Sequence, residues 1–227
     1  MQFALGKMKV SIPTALGFKL IPNHEDSMEN SFMTSSLRND VLSWLQQAVP
    51  EKRLQHILRV EAMAISLAEY HGLSTELAQQ AGLMHDLAKC FSAQKLLTVA
   101  AAEGWQLDPA EVDCPHLLHA PVGALLAREQ FGITDEQVLN AIANHTLGSP
   151  DMDDISCAVY LADTLEPGRG DTLQLRRLRE LSYGDLKAAV YETCVFSLQH
   201  LLESRRPVHP RTLLTHNRFR QSRSQPT

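Results

Sequence analysis

Four stretches of this chain carry an apolar stripe at helical spacing, and each stripe includes one histidine or aspartate. An α-helix turns once every ~3.6 residues, so positions i, i+4, i+7 and i+11 share a face. His56, Val60, Met63 and Leu67 make one such stripe. Leu77, Ala81, His85 and Ala88 make a second, and Val138, Ile142 and His145 a third. Ile155 and Val159 lead to Asp163, which lies at the edge of its stripe. A chain patterned in this way packs helix on helix, with polar groups carried into the interface.

Taken singly, a histidine on an apolar face is most simply a core histidine with a hydrogen-bond partner. The set is harder to explain that way. A buried polar group without a partner costs ~1–3 kcal/mol, and a whole domain is stable by only ~5–15 kcal/mol. Convergence on a cation removes the conflict, because imidazole nitrogens and carboxylates then become ligands. His85-Asp86, at the end of AGLMHDLAK, puts two such groups side by side. A mixed His and Asp set suits iron, manganese or zinc better than magnesium or calcium, which prefer oxygen throughout.

Composition agrees with an all-α fold in one compact bundle. The chain has 227 residues, 44% hydrophobic but only 6% aromatic, so aliphatic side chains and alanine must fill the core. The net charge of -5 argues against a general nucleic-acid binder. No apolar stretch is long enough to span a membrane. The cysteines, Cys90, Cys114, Cys157 and Cys194, are scattered and form no C-x-x-C, as expected of a reducing cytoplasm.

Punctuation divides the chain into three parts. Residues 1–34, with no clear period, read as an extension outside the fold, and Met28 or Met33 is an alternative start. Residues 218–227 read as a basic frayed tail. Between them, residues 35–217 form the domain. Helices are expected over roughly 36–49, 52–70, 74–89, 92–103, 116–130, 135–145, 154–165, 171–181 and 184–203, with a loop around Asp108, Pro109 and Pro115. Ser74 caps the helix carrying His85, and Gly72 stops the one before it.

The order His56, His85-Asp86, Asp163 resembles the H…HD…D signature of the HD-domain phosphohydrolase superfamily. The resemblance is closest to its YqeK family of symmetrical bis(5'-nucleosyl)-tetraphosphatases. It is carried by AGLMHDLAK, LLHAPVGALLAREQFGITDEQVLNAIANHTLGSPDM, AVYLADTLEPGR and HPRTLLTHN, spanning roughly residues 50–217. It implies an iron centre and hydrolysis of diadenosine tetraphosphate to two ADP. By motif position it makes His56, His85, Asp86 and Asp163 the metal ligands. Lys89, His119, His145, Thr146 and Arg169 would lie around the nucleotide phosphates, with Asp86, Lys89 and His119 catalytic. Manganese or another transition metal is the alternative to iron, a second metal is left open, and a homodimer is allowed. Many members of the family have a small residue where this chain has Arg59.

The residues fit such chemistry. A bound cation acidifies water, to a pKa of about 7 in favourable zinc sites, and draws charge from a phosphoryl oxygen. Lys89 follows His85 by one turn, though a solvated helix end would explain it equally. His119 and His145 are suited either to donate hydrogen bonds to phosphate or to bind a second metal. Arg169, in EPGRG, reads as an ordinary loop arginine without the motif. Glu166 reads as a structural partner for a basic group. His24, His71, His116, His200, His209 and His216 read as non-catalytic, and Asp113 and Glu129 join no constellation. The competing functions are a different HD-type phosphohydrolase, acting on a nucleoside monophosphate or cyclic nucleotide, and a nucleotide sensor without turnover.

Overall fold

The computed structural model describes residues 35–220, and the expected 1–34 extension and most of the basic tail lie outside them. Eleven α-helices and two short 3-10 turns make up the described chain, with no strand among the described residues. In order they are α1 (Ser35–Ala48), α2 (Glu51–Tyr70), α3 (Thr75–Met84), α4 (Ala93–Ala102) and α5 (Pro109–Asp113). There follow a 3-10 turn (Pro115–Leu118), α6 (His119–Phe131), α7 (Glu136–Asn144) and α8 (Asp154–Leu165). A second 3-10 turn (Pro167–Arg169), α9 (Leu173–Gly184), α10 (Leu186–Glu203) and α11 (Pro210–Phe219) complete it. No helix among the described residues is long and apolar enough to cross a membrane.

Local chemistry sets most boundaries. Ser74, Ser92, Asp135, Asp153, Thr172 and Asp185 each precede a helix and accept a hydrogen bond from one of its first free N–H groups. Asp108 and Glu111 form a reciprocal capping box that makes a helix, α5, where a loop was expected. The expected helix over 74–89 ends early. α3 stops at Met84, and residues 85–90 continue as hydrogen-bonded turns, Leu87 N to Met84 O and Lys89 N to Asp86 O. Shortening the helix there frees His85 and Asp86 from one regular face.

Two apolar clusters hold the bundle. The larger joins α2, α3, α7 and α8 through Ile57, Val60, Ala64, Leu67, Leu83, Met84, Ile142 and Val159. A smaller one, Ala88, Phe91, Leu96, Val99, Leu118 and Val122, seats α4 under the start of α6. α6 comes close to the turn after α3 because Gly123 has no side chain: a carbon added there would sit 3.4 Å from the His85 carbonyl. The expected frayed tail at 218–227 needs correction at its start. Arg218 and Phe219 belong to α11, and Phe219 is buried in the larger cluster. The burial of Phe219 and the cap on α11 outweigh its polar sequence.

Candidate functional site

His56 lies in the second turn of α2, and Asp163 in the last turn of α8. His85 is the first residue beyond α3, and His145 the first beyond α7. His119 opens α6. These five residues and Asp86 meet in one buried cluster, so every polar residue on the four apolar stripes arrives at the same place.

The four histidines are oriented by the same means. Each Nδ1 faces an oxygen that can only accept, so each carries its proton on Nδ1. His85 donates to the Gly82 carbonyl at 2.7 Å and His145 to the Ile142 carbonyl at 2.7 Å. His119 donates to the His116 carbonyl. In all three the acceptor lies three residues back. His56 donates instead to Glu166 Oε1 at 3.0 Å. All four Nε2 atoms therefore point into the cluster, the arrangement that a protein uses to present imidazoles to a metal.

Asp86 divides the cluster in two. Its Oδ2 faces His85 Nε2 at 3.5 Å and His56 Nε2 at 3.9 Å. Asp163 Oδ1 closes that side, 3.1 Å from His56 Nε2 and 3.9 Å from His85 Nε2. On the other side, Asp86 Oδ1 faces His119 Nε2 at 3.3 Å and His145 Nε2 at 3.6 Å, and these two nitrogens are 3.0 Å apart. Lone pairs that close repel unless a proton or cation lies between them.

The donor set fits a metal. His85 is fully buried, and its Nε2 has no hydrogen-bond partner. His56, His85 and Asp163 offer atoms close enough together to hold one ion, as do His85, Asp86 and His145. Burial pushes the His145 pKa down to about 4, so its Nε2 keeps a free lone pair at neutral pH. Burial opposes ionisation of Asp86, but the imidazoles around it, His85 foremost and then His119 and His145, hold its carboxyl well below the usual range. Asp163 is lowered likewise, burial opposing and the His56 hydrogen bond prevailing.

Around this centre stand three partly exposed cations. Lys89 Nζ lies 3.0 Å from His119 Nε2 and 4.0 Å from Asp86 Oδ1. Arg169 folds back from its 3-10 turn, with Nη2 2.5 Å from Asp163 Oδ1. The third, Arg53, was not foreseen: its Nη1 donates to Asp86 Oδ2 at 2.9 Å. It stands three residues before His56 on the same helix, the only signal of its place that the sequence holds. Thr146 Oγ1 completes the set, 2.9 Å from His145 Nε2 and 3.1 Å from His119 Nε2.

Glu166 is the structural partner that its position suggested. Besides His56 it accepts from Arg59 Nε and from the Gly168 amide, each at 2.5 Å. Burial works against its ionisation, and the Arg59 and His56 hydrogen bonds bring its pKa down. Arg59 lies flat over Gly168, where an added carbon would meet its guanidinium at 2.5 Å. The departure at Arg59 therefore acts on the support of His56 and not from inside the cluster.

Residues 53–168 match the model of the HD domain. This chain belongs to the HD domain family. It is 34% identical to the symmetrical bis(5'-nucleosyl)-tetraphosphatase of Halalkalibacterium halodurans, over 80% of this chain and 96% of that one. The protein of the same name in Bacillus subtilis is 33% identical, over 79% and 96%. Among solved structures, a "predicted HD superfamily hydrolase involved in NAD metabolism" from Clostridium acetobutylicum superposes with a TM-score of 0.78 at 31% identity. That match covers 82% of this chain and 97% of the other. An HD domain brings divalent metal binding with it, and the cluster around Asp86 is where this chain has the donors for it.

Proposed function

We propose that the chain hydrolyses diadenosine tetraphosphate, or a related bis(5'-nucleosyl) tetraphosphate, symmetrically to two ADP. The observation that carries this reading is the doubled donor set about Asp86, ringed by Arg53, Lys89 and Arg169. A single phosphate would need fewer cations than this mouth provides. The relatives that carry the name of that activity, matched over 96% of their own length, support the same substrate.

His56, His85, Asp86 and Asp163 would hold the first metal, with iron the leading candidate and manganese next. His119 and His145, with Asp86 Oδ1, would hold a second. With Nδ1 committed to a carbonyl and Nε2 unprotonated, His145 accepts and does not donate, which favours the second metal over direct donation to phosphate. When bound, a metal supplies a Lewis acid for the phosphoryl oxygen and acidifies a water. The chain's own groups bind and align. Arg53, Lys89 and Arg169 offset phosphate charge, which is most of what phosphoryl transfer asks of a protein. Thr146 offers a hydroxyl beside both histidines to fix a phosphate oxygen. Asp86, with one oxygen toward each half of the cluster, would be the ligand that the two sites share.

The test is a product chromatogram beside elemental analysis. Purified protein with diadenosine tetraphosphate and iron or manganese should release ADP alone and carry two metal ions per chain. ATP with AMP among the products would sink the symmetrical reading, and a single ion at full activity would sink the second site.

A further inference from the structure

HPRTLLTHN is the one resembling segment with no residue in the cluster. It forms α11, whose own bonds lead back to the site by two routes. At its N-terminus His209 caps the helix, Nδ1 accepting from the Arg211 amide at 3.0 Å. Its Nε2 lies 3.6 Å from Glu111 Oε1. Glu111 is half of the capping box that shapes α5. The chain runs from α5 directly into the turn whose His116 carbonyl holds the His119 ring.

The second route is tighter. The Arg211 side chain reaches under the end of α7 and donates from Nη2 to the Ala143 carbonyl at 3.3 Å. Thr215 is fully buried, bonded to the Arg211 carbonyl at 2.9 Å with the Leu147 carbonyl at 3.4 Å. Its methyl group occupies the room that Gly148 leaves: a carbon added to Gly148 would meet Thr215 Cγ2 at 2.6 Å. Gly148 also needs its left-handed backbone, at φ +67°. His145 and Thr146 lie between the two anchor points, Ala143 and the Leu147–Gly148 turn.

The geometry points to α11 as the clamp that sets His119, His145 and Thr146 in register, with Thr215 and Arg211 as positioning residues. Neither touches the donor atoms; both act on the backbone that carries them. Phe219 ties the far end of the helix into the main core, so the clamp has a fixed footing. The kinetic part of the test rests on the dinucleotide reading above, and the exchange part does not.

Thr215→Ala and Arg211→Met are compared with wild type in the full chain by hydrogen exchange and kinetics. Amides at 143–149 should exchange faster in Thr215→Ala and in Arg211→Met, while α2 and α8 keep wild-type protection. A helix that only added stability would speed exchange everywhere together, and that result overturns the proposal. With diadenosine tetraphosphate, kcat/KM should fall about 10-fold, the loss expected when a reacting group is set slightly off line. Inhibition by ADP should weaken in parallel. Altered exchange with unchanged kcat/KM would overturn the positioning role. If wild type itself fails to turn over the dinucleotide, the substrate reading fails and the exchange pattern still decides the clamp. Should Thr215→Ala not fold, Thr215→Val keeps the shape and loses only the hydroxyl, and the same readouts apply to it. Thr215→Ser, keeping the hydroxyl, should recover part of the loss.

Discussion

The two sides of Asp86 use similar donors and are built differently. On the Oδ2 side, His56 and Asp163 stand within long helices, and His85 follows the end of a third. Those helices also form the larger apolar cluster, so the donors cannot move without disturbing the core. On the Oδ1 side, His119 follows a 3-10 turn, His145 and Thr146 follow the end of α7, and Lys89 sits in a run of turns. Beyond the carbonyls three residues back, a device that His85 shares, that side is steadied from outside by α11. One half is held by the core itself, and the other by turns braced against a neighbouring helix.

Three substitutions test the contrast. Asp86→Ala removes the residue that both sides share. Metal content should drop to background and activity by roughly 1,000-fold or more, with helix content by circular dichroism largely kept. Turnover persisting in a purified, metal-free variant would end the shared-carboxylate account. Glu166→Gln touches the Oδ2 side alone, through the support of His56. Metal affinity should weaken by about 10- to 100-fold, and excess metal in the assay should restore most of kcat. A loss that metal cannot rescue would mean that Glu166 acts in the reaction directly. Thr146→Val touches the Oδ1 side alone and removes one hydrogen bond, worth ~1 kcal/mol or about 5-fold in kcat/KM. Here added metal should restore nothing, and metal content should match wild type.

Much of this molecule was legible in its sequence, for identifiable reasons. Helices α2 and α8 carry unbroken apolar stripes and clear stops, and both formed where expected. The donors on them, His56 and Asp163, were visible as exceptions to those stripes. The end of α3 was misplaced because Leu87 and Ala88 prolong its apolar pattern; they are buried, in turns and not in helix. α11 was missed because its leucines, Leu213 and Leu214, are exposed while Thr212, Thr215 and Phe219 are buried, so no apolar stripe marks it. Arg53 and Arg59 look like solvated helix residues, and only partners 33 and 107 positions away give them a place. Periodicity reports which face is buried; it does not report which distant carboxylate waits there.

The bonds from Nδ1 of His85, His119 and His145 to carbonyls three residues back have a consequence for how the protein matures. Each ring is aimed by its own stretch of backbone, held for His145 in turn by α11, so the aim is complete once the helices have packed. In a zinc finger the ion organises the chain; here the chain organises the receptacle. The polypeptide can then reach its final shape first and acquire its ion afterwards, as cargo taken into a finished berth. Exchange of one metal for another becomes a matter of supply and affinity, with no refolding step between them.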